Sequence, residues 1–200
     1  MQTYEMCERL HQLVWRLPRH RFPVTQSKIY SEGLYFLFET DECGHGGDRI
    51  VRVGCHTGAD NLASRLIQHT SPYKESSIFR KSIGGALLSK AGDSFLRSWD
   101  SKKPSLDKAK QTSVEKQVTD YIVGHISVAV IPVSETRLDF EKLCIATVAQ
   151  CPHCHPSESW LGHFSPKSKI RTSGLWQQNH VSGVVLQMKD IKELERLATI

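Results

Sequence analysis

Residues 33–54, GLYFLFETDECGHGGDRIVRVG, decide the fold. The first six, Gly33-Leu34-Tyr35-Phe36-Leu37-Phe38, are aromatic and apolar, and the last six, Arg49-Ile50-Val51-Arg52-Val53-Gly54, alternate cleanly, so each end reads as a strand. The polar, glycine-rich residues between them make the pair an antiparallel hairpin with a longer loop. A third strand is predicted over 121–133, β-branched, alternating and ending at Pro132. The rest of the chain reads as helix or loop. The expected fold class is therefore α+β: a small antiparallel β-sheet, of three strands or slightly more, flanked by α-helices.

Upstream of the hairpin, residues 1–17 form an amphipathic helix with Leu10, Leu13, Val14 and Leu17 at helical spacing, stopped by Pro18. A basic, irregular connector leads from there to Ser31. Downstream, Asp60 is the expected cap of a helix over 61–69. At about 100° per residue, Leu62, Leu66, Ala63 and Ile67 form its buried arc, and Arg65 and His69 stand together on the edge of that arc. SSIFRKSIGGALL (76–88) is a further helix, and 89–115 is polar and lysine-rich, helical in parts or mobile. A helix over 138–150 places Glu141 at about 300° on its wheel, between Val148 at about 280° and Ile145 at about 340°. A lone carboxylate inside an apolar arc is costly to bury, so it must meet a cation, a metal or a proton donor. A buried salt bridge to a core arginine would satisfy it equally well. After this helix comes a loop region packed by Trp160, Phe164 and Trp176, and a last helix over 188–197 closes the chain.

The 200 residues are 39% hydrophobic and 24% charged, a globular composition. The longest apolar run, 126–133, is broken by Ser127 and Pro132 and falls far short of the roughly 20 residues of a membrane span. Glu5, Glu8, Arg9, Arg16 and Arg19 interrupt the apolar patch of the first twenty residues, so no signal peptide is expected there. The expectation is a cytoplasmic protein with six reduced thiols and no membrane partner. One domain is expected over 1–200, with an N-terminal helical extension over about 1–30 and a basic insertion over about 71–120. The net charge is +5, and between Arg65 and Lys116 eleven Lys/Arg, among them Lys102 and Lys103, face five acids. Such a local excess is the footprint of a polyanion-binding surface, with a merely solvated lysine-rich face as the alternative.

The strand GLYFLF with Tyr35, a second strand ending in VRVG, the helix LASRLIQH with Arg65 and His69, and a later helix carrying Glu141 together resemble the GIY-YIG nuclease superfamily across about residues 33–150. SIFRKSIGGALL, FEKLCIATVAQ and IRTSGLW are similar to an uncharacterised bacterial and archaeal branch of it. The resemblance implies a divalent-metal-dependent nuclease, a DNA endonuclease using Mg²⁺ or Mn²⁺. Tyr35 would serve as general base or orient the attacking water, Glu141 would hold the cation, Arg65 would contact the scissile phosphate, and His69 would assist near the tyrosine. A guanidinium and a metal both offset charge that accumulates on non-bridging oxygens in the transition state. Arg52, His56 and Arg65 could supply the positive field that a tyrosine base needs.

The sequence also departs from the family pattern. Arg52 stands where the second motif tyrosine is expected, and His56 is the candidate to replace it as proton shuttle or water holder. The downstream asparagine has no clear counterpart, with Ser159 and Asn179 both conceivable. Lys74, Arg80, Lys81, Lys90 and Arg97 are the candidate nucleic-acid-binding residues, with DNA favoured over RNA. The oligomeric state is left open. A catalytically weak nucleic-acid-binding module on the same scaffold is the alternative reading.

Cys151-Pro152-His153-Cys154-His155 has the C-x₂-C spacing of half a zinc site. Because zinc would need two more ligands and no second C-x₂-C exists, an ordinary turn is expected at Cys151 and Cys154, not zinc. A zinc-stapled interaction domain is the distant third reading. Cys7, Cys55 and Cys144 are expected as packed thiols. Trp99, Trp160 and Trp176 could stack on bases, but core packing is the commoner use.

Overall fold

The computed structural model describes residues 2–101 and 105–198; Lys102 and Lys103 of the basic count lie outside them. The elements are α1 (Gln2–Trp15), β1 (His20–Arg21), β2 (Leu34–Gly44), β3 (Gly47–Gly54), α2 (Leu62–Gln68), α3 (Ile78–Lys90), α4 (Leu96–Asp100), α5 (Lys108–His125), β4 (Ile126–Ile131), α6 (Arg137–Ala149), α7 (Ser168–Ser173) and α8 (Met188–Ala198). The strands form one antiparallel sheet in the order β1-β4-β2-β3. The fold is α+β, as the sequence leads one to expect.

Alternation along the strands sends side chains to two cores. Leu34, Phe36 and Phe38 join the apolar residues of α1, α6 and α8. Tyr35 and Leu37 join those of α2, α3 and α5, together with Trp99, Trp160 and Trp176. All three tryptophans are at most 2% exposed, so none is offered to a base; Phe164, at 41% exposed, does not pack the loop as expected. Instead Glu39, buried on β2, accepts hydrogen bonds from Trp160 Nε1 at 3.1 Å and Trp176 Nε1 at 2.8 Å. These bonds fasten the loop to the sheet.

Four local expectations are corrected. The hairpin loop is short: β2 and β3 run on to Gly44 and Gly47, and His45 (φ 56°) and Gly46 (φ 87°) make a two-residue turn of the kind that matches strand twist. Residues 121–125 are helical. From a start capped by Asp107, whose side chain accepts from Lys110 N, α5 carries Val114, Val118 and Ile122 on one buried stripe, and that burial outweighs the β-propensity of its last turn. Asp60 does not cap α2; it takes φ 52°, and the cap position falls on Asn61, whose side chain reaches back to the Thr57 carbonyl. Finally, the connector after Pro18 contributes β1, which pairs with β4.

Candidate active site

Tyr35 on β2 is fully buried and pairs with Gly54 of β3. Its ring lies across that glycine. A Cβ at Gly54 would stand 2.3 Å from both Oη and Cζ of Tyr35. The last residue of the second strand is thus glycine because the phenol of the first needs the space.

The Tyr35 hydroxyl is hydrogen-bonded to His69 Nε2 at 3.0 Å, and the other ring nitrogen meets Ser77 Oγ at 2.8 Å. His69 ends α2 and Ser77 caps α3, its Oγ accepting from Arg80 N. Complete burial, with the charges of Arg52, Arg65 and Arg80 around it, holds the His69 ring well below the usual histidine range. His69 is therefore neutral at pH 7. A neutral ring with a hydroxyl on each nitrogen accepts from one and donates to the other, which links Tyr35 to Ser77 through His69.

Arg65 is half-buried; its Nη1 donates to Gln68 Oε1 at 2.9 Å and to the Ser76 carbonyl at 3.2 Å. Its charge acts on His69 and also on Cys55, just past the end of β3. The Cys55 thiol donates to Glu141 Oε2 at 3.0 Å, and burial, followed by that carboxylate, pushes the thiol up to about 12. The partner that the apolar arc of α6 demanded for Glu141 is thus a protonated thiol. Glu141 forms no ion pair among the described residues and is half-buried. Tyr35 belongs to one core and α6 packs in the other, across the sheet, and the charge of Arg65 acts on one member of each hydrogen-bonded pair.

The other expected residues are placed differently. Arg52 is 8% exposed, donates to the Trp176 carbonyl and lies over the Phe79 ring. His56 is 2% exposed and its Nε2 accepts from Gly33 N at 3.3 Å; burial, then the charge of Arg137, holds it below the usual histidine value. Its acceptor nitrogen is thus committed to backbone. Cys55 and His69 have separate partners: Cys55 serves Glu141 and His69 serves Tyr35. Ser159 is bonded to Ser157 in an exposed turn, and Asn179 is exposed.

Lys74 and Arg80 are internal. Lys74 Nζ donates to the carbonyls of Ser98, Trp99 and Ser101. Arg80, 0% exposed, pairs with Glu115 Oε2 at 2.7 Å and donates to the His69 carbonyl at 3.1 Å. Both cations are spent on acceptors within the fold. Lys81 is half-buried and paired with Glu75 at 3.0 Å, whereas Lys90 and Arg97 are exposed. A cavity of about 740 Å³ opens between residues 70–75 and α5, lined in part by Lys108 and Lys116.

Sequence reading missed Ser77 and Arg137, and took Cys55 for a packed thiol without its bond to Glu141. Arg137 joins the start of α6 to the loop after β3 through the carbonyls of His56 (3.2 Å) and Gly58 (3.0 Å). It also missed Gln177, whose Oε1 accepts from Val53 N at 2.8 Å and fastens the tryptophan loop along β3.

A family model described as GIY-YIG domain matches residues 1–199. No curated protein and no solved structure matches the chain.

Proposed function

The chain belongs to the GIY-YIG family, a nuclease family, and on that premise we propose that it is a divalent-metal-dependent endonuclease hydrolysing phosphodiester bonds in DNA. The observation that carries the reading is the Tyr35–His69 hydrogen bond to a neutral, arginine-surrounded imidazole. Tyr35 orients the attacking water or takes its proton, and His69, backed by Ser77, relays that proton. Arg65 offers its guanidinium to the non-bridging oxygens of the scissile phosphate. Glu141 fits a hard cation, because its carboxylate is half-exposed, has no ion-pair partner among the described residues and is steadied by Cys55. Mg²⁺ or Mn²⁺ held there supplies Lewis acidity and offsets phosphate charge, and one carboxylate suffices because Mg²⁺ keeps most of its waters. Arg52 and His56 act on the site from behind, Arg52 through its field at His69 and His56 through the start of β2. Lys81, Lys90 and Arg97 contribute phosphate contacts.

A second reading, a nucleic-acid-binding module with weak catalysis, is favoured by Arg52 at the second motif position, where its donor is spent on the Trp176 carbonyl. Cleavage of labelled single-stranded DNA, double-stranded DNA and RNA at low salt, with Mg²⁺, Mn²⁺ or EDTA, separates the two. Metal-dependent cutting of DNA that Glu141→Gln abolishes is the expected result. No cutting in any lane, with retardation of nucleic acid by both proteins, would leave the binding module.

A further inference from the structure

At the far end of the hairpin from Tyr35, three segments bring soft ligands together. Cys7 comes from α1, His45 from the β2–β3 turn, and Cys151 and Cys154 from the turn after α6; His11 stands one helical turn beyond Cys7. His45 Nε2 lies 3.3 Å from Cys7 Sγ and 3.4 Å from Cys151 Sγ. Ligand atoms of Cys7, His11, His45 and Cys154 all lie within 4.8 Å of one another. In a tetrahedral zinc site, with Zn–S of about 2.3 Å and Zn–N of about 2.0–2.1 Å, neighbouring sulfur and nitrogen stand roughly 3.6 Å apart. The observed separations are close to that edge. The sulfurs are enclosed, Cys7, Cys151 and Cys154 being 0%, 4% and 3% exposed.

We infer that this chain carries a structural zinc site whose ligands are Cys7, His45, Cys151 and Cys154. His45 is chosen over His11 by hydrogen bonding. His11 Nδ1 donates to the Cys7 carbonyl at 2.8 Å and Nε2 accepts from Ile50 N at 3.2 Å, so each nitrogen has a backbone partner closer than the thiol it also faces, Cys7 Sγ at 3.6 Å and Cys154 Sγ at 3.7 Å. His45 Nε2 faces two thiols, and its Nδ1 has no partner among the described residues. His45 also holds a left-handed turn position that asparagine or glycine fills at less cost, and Gly44 beside it leaves room, since a Cβ there would sit 3.3 Å from Cys154 Sγ. The expectation of no zinc rested on finding only half a site at Cys151 and Cys154. The missing ligands lie more than a hundred residues upstream.

Three thiolates and an imidazole suit zinc and exclude Mg²⁺, which takes oxygen ligands. With four protein ligands the site is closed, and it is separate from Glu141. The pair Gly44–Gly47 lies nine residues along β2 from the pair Tyr35–Gly54, about 30 Å of extended chain. The metal joins α1, the hairpin that carries Tyr35 and the C-terminal turn of the helix that carries Glu141, so it restrains the elements that frame the catalytic groups.

The test is elemental analysis of the full-length chain purified in buffers free of added metal, with about one zinc per chain expected. Cobalt exchanged into the wild-type protein should give tetrahedral d–d bands and near-ultraviolet thiolate-to-cobalt charge transfer. His45→Ala and Cys151→Ala should lose the metal, and His11→Gln should keep it. If those variants fail to fold, the wild-type zinc content and cobalt spectrum still decide. A metal-free folded chain with every thiol reactive, or a disulfide among these cysteines, overturns the site. Zinc lost in His11→Gln but kept in His45→Ala overturns the ligand assignment.

Discussion

The phenol of Tyr35 rests on Gly54 of the adjacent strand so closely that a single methyl group at Gly54 would stand 2.3 Å from the hydroxyl oxygen. The two residues are strand partners, and the small one exists to seat the large one. Gly54→Ala must displace the ring from His69 and is expected to cost about 1–3 kcal/mol of stability by overpacking. It should also lower cleavage as far as Tyr35→Phe does. Urea unfolding and single-turnover cleavage measure the two effects, and an alanine variant with wild-type activity would refute this role for the contact.

Tyr35→Phe removes the hydroxyl while keeping the packing. It leaves His69 Nε2 unpaired in the core, at roughly 1–3 kcal/mol. Loss of a proton-transfer group is expected to slow cleavage by about 10²–10⁴-fold with nucleic-acid affinity unchanged. Ser77→Ala should show a smaller loss of the same kind, because Ser77 reaches Tyr35 only through His69, together with about 1 kcal/mol of lost stability from the α3 cap.

His69 gives a pH signature with a fixed sign. Its folded value lies well below the ordinary 6.5, so on acidification the unfolded chain takes up a proton that the folded chain refuses. Stability is full above 6.5 and is lost as pH falls below it, by up to about 1.4 kcal/mol per pH unit for this group. His56, also held low, adds in the same direction. The melting temperature should drop between about pH 7 and pH 5, and His69→Gln should flatten that slope.

Two kinds of cation are separable by mutation. Arg80 and Glu115 form a buried pair at 2.7 Å, so Arg80→Met is expected to destabilise by about 3–5 kcal/mol through the carboxylate left behind. Lys90→Ala and Arg97→Ala lie on the exposed surface. They should leave the melting temperature alone and reduce the salt dependence of DNA binding by about one unit each in log–log slope. The same slope from Arg97→Ala and wild type would remove Arg97 from the interface.

Cys55→Ala removes the thiol that steadies Glu141. Its expected effect is a higher Mg²⁺ requirement, roughly 10- to 100-fold, with the maximal rate at saturating metal little changed. A drop in maximal rate that metal cannot rescue would mean that Cys55 acts in another way.

The α+β class, the hairpin, the helix carrying Arg65 and His69 and the helix carrying Glu141 were legible because each rests on local periodicity. The motif order carried the family as well. A strand that turns over a glycine, or a carboxylate within an apolar arc, is a short-range pattern that one chain segment writes by itself. What lay beyond sequence were the partners: that Glu141 meets Cys55, that His69 meets Ser77, that Arg80 and Lys74 are spent inside, and that His45 meets Cys7 and Cys151. Charge in a sequence does not say which cations are buried, and half of a ligand set does not say whether distant segments complete it. Those outcomes depend on how two cores pack on opposite faces of one sheet, and only the folded chain sets that packing.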